Sequence, residues 1–353
     1  MKKWLKITLT AALVLLVLGG AAWTGAYCLG ARPAEVFNDN TLHLPDGVHM
    51  SFGSGGSSGI FISDRHGFGS EDLNSTVSPD GTYTLSAEGI DSLSIDWLSG
   101  SAKVLVTEGS RITIAESAPG GIRESEALRY AVKDGTLSIL YTASNSGLVF
   151  DLPSKELVLS IPASLAGSLR DFTFSSTSAS LELSGLTLSG RLKFGSTSGA
   201  LTASGVQAGI VSLSTTSGGL RFTEGGADVL TFSTTSGAAR ITGSRIGELE
   251  VDSTSGKLEA DGEFERIDVD TISGAVTLAC GVCPRELDVD STSGGVTLTL
   301  PKGSGFTVDF DSTSGSFRCD FPAATRGDTH IVGSGSAQFD VETISGSLTI
   351  KEG

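Results

Sequence analysis

Residues 249–260 read Leu-Glu-Val-Asp-Ser-Thr-Ser-Gly-Lys-Leu-Glu-Ala, and the pattern returns along most of the chain. Leu249 and Val251 alternate with Glu250 and Asp252, so one face of a strand is apolar and the other acidic. A hydroxyl residue, Ser253, holds the next apolar-side position. Then come Thr254, Ser255 and Gly256, a bend signal, and a second alternating run through Leu258 and Ala260.

The phrase recurs as Thr197-Ser198-Gly199, Thr216-Ser217-Gly218, Thr235-Ser236-Gly237, Ile272-Ser273-Gly274, Thr292-Ser293-Gly294, Thr313-Ser314-Gly315 and Ile344-Ser345-Gly346, after a degenerate Thr177-Ser178-Ala179. From Ser178 to Ser345 the serines are spaced 20, 19, 19, 19, 18, 20, 21 and 31 residues apart. A unit of strand, bend, strand and turn cannot bury its own apolar face. Such units must stack. The fold class read from this is all-β, a parallel β-helix or β-solenoid of roughly 19-residue rungs. An antiparallel sandwich would supply many strands but not one phrase at one period.

Upstream, Leu93, Ile95, Trp97, Ser99 and Gly100 fit the same frame. The 79 residues from Ser99 to Ser178 would hold about four rungs that have lost the Ser-Gly phrase. Period-two runs there include Ile112 with Ile114, Leu128 with Tyr130, Leu137 with Ile139, and Leu157 with Leu159 and Ile161. The domain organisation follows: residues 1–31 a membrane or signal segment, 32–88 a Gly/Ser-rich spacer or cap, and 89–353 the repeat domain.

Lys2, Lys3 and Lys6 precede an uncharged run from Ile7 to Ala31, long enough to cross a bilayer as a helix. The lysines orient it with the body outside the cytoplasm. The chain is therefore expected to be a single-pass protein of the cell membrane with its bulk extracytoplasmic. A cleaved signal peptide is the rival, given Gly19 to Ala22. A lipidated Cys28 fits less well, because bulky Tyr27 precedes it.

The chain has 353 residues, a net charge of −16 and a pI near 4.6. That balance excludes nucleic acid as a natural partner and points to cations or basic polymers. Four cysteines in such a length are no disulfide scaffold. Cys280 and Cys283 form a lone CxxC before a strand, without a helix start to activate a thiol or further ligands for zinc. A local disulfide or free thiols are expected there, and a buried core thiol at Cys319. His43, His49 and His66 read as solvated loop histidines.

The outward positions five and three before each serine change along the chain. In the last five repeats they are Glu250 and Asp252, Asp268 and Asp270, Asp288 and Asp290, Asp309 and Asp311, Asp340 and Glu342. Stacking would place these ten carboxylates in two columns with about 5 Å between neighbours, where like charges repel by about 1 kcal/mol per pair. The pattern admits a metal-binding ladder, with Ca²⁺ the fitting ion, a basic partner, or a solvated face. No other cofactor is expected. A threonine column from Thr197 to Thr313 resembles ice-binding arrays, but Ile272 and Ile344 interrupt it. Arg326-Gly327-Asp328 spells an integrin-binding tripeptide.

On the run Tyr130-Ala131-Val132-Lys133-Asp134-Gly135-Thr136-Leu137, the Ser-Gly repeats and the ending Val341-Glu342-Thr343-Ile344-Ser345-Gly346, the chain resembles the bacterial cell-envelope family labelled putative adhesins. The resemblance implies a membrane-tethered β-solenoid and carries no catalytic residues. The function expected is a non-enzymatic structural, binding or sensing module of the bacterial envelope. Its partner would be an envelope protein or glycan, and the solenoid itself a monomer. The alternative is a carbohydrate-active β-helix enzyme, which would show convergent charged residues in a groove.

Overall fold

The computed structural model describes residues 78, 80–142 and 153–353 in full, and the backbone of four short strands between residues 37 and 62. The expected membrane helix over 1–31 lies outside the described residues. Among those described, no helix is long and apolar enough to cross a membrane. The short strands Phe37–Asn38, Thr41–His43, Val48–Phe52 and Ser58–Ile62 pair antiparallel in sequence order, within the stretch expected to be a spacer.

The chain is all-β and solenoid-like, and it divides into two compact units, one ending at Ala200 and one running from Leu201 to Gly353. In the second unit, Gly226–Thr234 pairs in parallel with Ala239–Ser253, which pairs with Leu258–Thr271. The register follows the repeat: Leu230 beside Leu249 beside Ile267, and Phe232 beside Val251 beside Val269. Side chains at these positions are buried. Each unit's core is thus a set of apolar columns, with about 1.5–3 kcal/mol from each large side chain taken out of water.

The Ser-Gly corner is built differently from the expected bend. The hydroxyl two residues before each corner serine, buried at every corner except the half-buried Ser312, accepts the N–H of the residue after that serine, a glycine everywhere but at Ala179. Thr234 Oγ1 takes Gly237 N–H at 2.8 Å, Ser253 Oγ takes Gly256 at 2.9 Å, and Thr271 Oγ1 takes Gly274 at 2.9 Å. The serine hydroxyl itself points outward and donates to a carbonyl of the neighbouring rung, as Ser255 does to Thr235 O at 3.1 Å. The glycines do not need a left-handed backbone. They are needed because a Cβ on Gly256 would lie 2.0 Å from Gly237 O, and one on Gly294 2.0 Å from Gly274 O.

The order of layers departs from the order of the chain at two places. In the first unit, Ser92–Asp96 stacks directly on Asp171–Ser176, and Gly100–Thr107 on Ser180–Ser184. Ser178 N–H reaches Leu98 O at 3.0 Å across 80 residues. The residues between are not four successive rungs. Thr136–Leu140 and Lys155–Pro162 form one layer on the opposite side of the 92–107 rung. Arg129–Lys133 and Arg111–Ser117 roof that layer in antiparallel register. Thr82–Ser86, inside the expected spacer, pairs with Arg111–Ser117 and buries Tyr83.

A buried ion pair fastens this roof. Lys155 Nζ donates to Glu116 Oε2 at 2.7 Å, to Glu126 O at 2.8 Å and to Tyr141 O, and lies over the Trp97 and Tyr141 rings. Glu116 Oε1 in turn accepts Leu128 N–H at 2.8 Å. All three ammonium hydrogens have acceptors. Burial pulls the Lys155 ammonium below its usual range, and Glu116 opposes that pull. Removing one partner strands the other charge in the core. Lys155→Met should therefore lose about 3–5 kcal/mol in urea denaturation, and Lys155→Met with Glu116→Leu should recover much of it. A loss under about 1 kcal/mol for the single variant would show that the pair does not hold the roof.

Candidate acidic face

The second departure in layer order lies under the carboxylates. Glu286–Ser291 pairs in parallel with Ala337–Thr343, and the other edge of Ala337–Thr343 pairs with Phe306–Ser312. The last repeat in sequence therefore sits between two earlier ones. Residues 320–336 supply the detour, including a hairpin of Ala323–Arg326 and Thr329–Val332. Thr329–Val332 runs back antiparallel along Phe306–Asp309. This detour accounts for the 31-residue gap.

The register brings all ten expected carboxylates into two columns. In space, one runs Glu250, Asp268, Asp288, Asp340, Asp309, and the other Asp252, Asp270, Asp290, Glu342, Asp311. Thr231 and Ser233 start the columns on the preceding rung, and Thr231 Oγ1 donates to Glu250 Oε2 at 3.0 Å. Adjacent rungs lie about 4.8 Å apart. The columns are not uniformly wet, since Asp290 is only 9% exposed.

Crowding shows in Asp268, in the middle of the first column. Burial first, and then the negative charges of Asp270, Asp288, Glu250 and Asp252, push its carboxyl up to about 6. Basic side chains of this unit pair with acids elsewhere, Arg240 and Lys257 with Glu259, Arg245 with Glu263, Arg266 with Glu248. Among the described residues, no group of three or more His, Cys, Asp and Glu side chains is placed to hold a metal ion. The aligned carboxylates make the ladder a strip of one charge sign.

A shallow recess of about 790 Å³ opens beside the ladder, where the ladder strands begin. Asp228, Glu248, Arg266, Arg285 and Glu286 line it, with Arg266 3.5 Å from Glu248. Sequence reading missed this recess, because its residues are scattered at the entrances of successive strands and carry no motif.

The remaining candidates fall elsewhere. Burial pushes the Cys280 thiol up to about 12 and raises Cys283 as well, so neither is a ready nucleophile. Both are free thiols. Cys319 is only half-buried, against the expected core position, because it lies in a terminal layer. Arg326-Gly327-Asp328 occupies an exposed hairpin turn, with Gly327 at φ 64°. His43 and His49 face each other in backbone register, while their side chains and His66 lie outside the described residues.

With this architecture in view, the class is clear: residues 90–351 match the family described as Toastrack DUF4097. The chain belongs to that family. Solved structures similar to it include a putative adhesin from Bacteroides fragilis, 12% identical, covering 77% of this chain and 95% of that one with a TM-score of 0.42. Another, from Parabacteroides distasonis, is 13% identical, with 78% and 96% covered and a TM-score of 0.44. A putative cell adhesion protein from Clostridium sporogenes is 14% identical, with 77% and 98% covered and a TM-score of 0.21. No curated protein matches this chain.

The raised Asp268 carboxyl makes stability depend on pH. Its folded pKa exceeds its unfolded value of 3.8, so its contribution to stability is full below pH 3.8 and lost as pH rises through about 6. Because the group is solvent-accessible, the effect is small. Asp268→Asn should raise the melting temperature at pH 7.5 by about 2 °C and have almost no effect at pH 4. An equal or opposite effect at neutral pH would mean that the column is not under repulsion.

Proposed function

We propose that this chain is a non-enzymatic binding module of the bacterial envelope, tethered by an uncleaved helix over 7–31 with the solenoid outside the cytoplasmic membrane. The rungs of each unit build a parallel β-helix, and the acidic face is the recognition surface. It takes a basic partner, an envelope protein carrying Lys and Arg, by charge along its length. The observation that carries this reading is the parallel register that aligns ten carboxylates over five adjacent rungs. A strip of one sign attracts a polycation strongly at low salt and holds a single chelated ion poorly without convergent ligands. The names of the related structures, adhesin and cell adhesion protein, agree with a binding role.

The carbohydrate-active alternative has the recess in its favour, since Glu248, Glu265, Glu286 and two arginines meet there. Glu248, Arg266 and Glu286 stack in one column, Glu265 and Arg285 in the one beside it, and Arg266 engages Glu248. That arrangement suits binding more than a pair of carboxylates set across one bond.

The test is calorimetry of the full chain in detergent with polylysine as probe, at two salt concentrations. Binding should weaken with salt and fall about tenfold in Asp268→Asn/Asp288→Asn/Asp340→Asn, which removes roughly 1.4 kcal/mol of attraction. Absence of binding, or equal binding by the variant, would overturn the proposal. A thermal shift produced by Ca²⁺ but not by polylysine would replace the basic partner with a cation.

A further inference from the structure

The final layer of the second unit is left open on one side. Phe317–Cys319 pairs only with Leu348–Glu352 among the described residues. Asp320 N–H donates to Ile350 O at 2.9 Å, and Ser316 O accepts from Leu348 N–H at 3.0 Å. Even-numbered residues of this strand therefore direct their backbone groups into the sheet. By alternation, Phe317 and Cys319 turn theirs to the open edge. The hairpin covers Phe306–Asp309 and sets the His330 ring 4.4 Å from that of Phe317, but makes no backbone pairing with Phe317–Cys319 among the described residues.

The apolar column at this end is also incompletely covered. Phe310, Phe317 and Cys319 are half-buried, whereas the equivalent Val289, Val296 and Leu298 of an interior layer are at most 3% exposed. By contrast, the terminal layer of the first unit is roofed, and its Leu137, Ile139, Leu157 and Leu159 are fully buried.

We propose that this edge is a homodimer interface, in which Phe317–Cys319 pairs antiparallel with the same strand of a second copy of this chain. Charge complementarity selects that occupant. A two-fold axis at Cys319 sets the backbone groups of Cys319 against those of Cys319 of the second copy. It places Arg318 opposite Asp320 of the second copy, and Asp320 opposite the second copy's Arg318. Within one chain these two side chains already pair at 3.4 Å, Arg318 largely and Asp320 partly exposed. The two-fold arrangement exchanges that pair for two cross-strand pairs of opposite charge, and like charges never meet. The monomer expected from the sequence would give way to an end-to-end pair.

The experiment compares the full chain in detergent with Arg318→Asp and with Arg318→Asp/Asp320→Arg, by light scattering across a concentration series. The unmodified chain should dimerise. Arg318→Asp should raise the dissociation constant by about tenfold or more, and the swapped pair should restore it. In a Cys28→Ser/Cys280→Ser/Cys283→Ser background, copper-phenanthroline should cross-link dimers through Cys319, because paired residues there have Cα atoms about 5.5 Å apart. The Arg318→Asp change should abolish that product. A monomer throughout, or a dimer and cross-link indifferent to Arg318→Asp, would overturn the proposal.

Discussion

The structure depends on how closely one rung lies on the next at the Ser-Gly corner. A carbonyl of one corner glycine sits where a Cβ of the next would be, as Gly237 O does against Gly256. Only glycine permits that approach. The buried hydroxyl two residues earlier than the serine then accepts the glycine N–H, so no donor at the tight corner is stranded in the core. Once the corners are in contact, the strands on either side are held at sheet spacing and in register, and the apolar columns follow.

The same register that makes the core makes the acidic face. Strand alternation turns Leu249 and Val251 inward and Glu250 and Asp252 outward. A stacking that aligns the first pair with Ile267 and Val269 cannot avoid aligning the second with Asp268 and Asp270. The burial and, after it, the repulsion that lift the Asp268 carboxyl are thus costs of the fold's own geometry. Serines and threonines hold the equivalent sites on the neighbouring rung, at Thr231 and Ser233. The carboxylates are therefore a local feature of five rungs and are not required by the solenoid.

Much of this was legible in the chain. The spacing of the serines specified the rung, and the alternation around each specified which side chains face inward. The ten ladder residues could be named from the outward positions alone. What could not be read was the order of layers. Nothing in the local pattern near Ser99 says that Asp171–Ser176 will be its neighbour, because each strand presents nearly the same apolar edge and pairing choices are settled by long-range packing. The buried Lys155–Glu116 pair belongs to that insertion and has no periodic signal. The role of the corner glycines was legible only in part. The residue type was evident, but the cause is crowding by a distant carbonyl and not a turn conformation.

One register threads the last repeat between two earlier ones and so completes the ladder. Engineered disulfides test it most directly, in a background with the native cysteines replaced by serine. Asp288→Cys with Asp340→Cys, and Asp340→Cys with Asp309→Cys, should each oxidise readily, because adjacent strands lie about 4.8 Å apart. Asp288→Cys with Asp309→Cys should not, because a strand separates them. A ready cross-link between 288 and 309, with none to 340, would contradict the account.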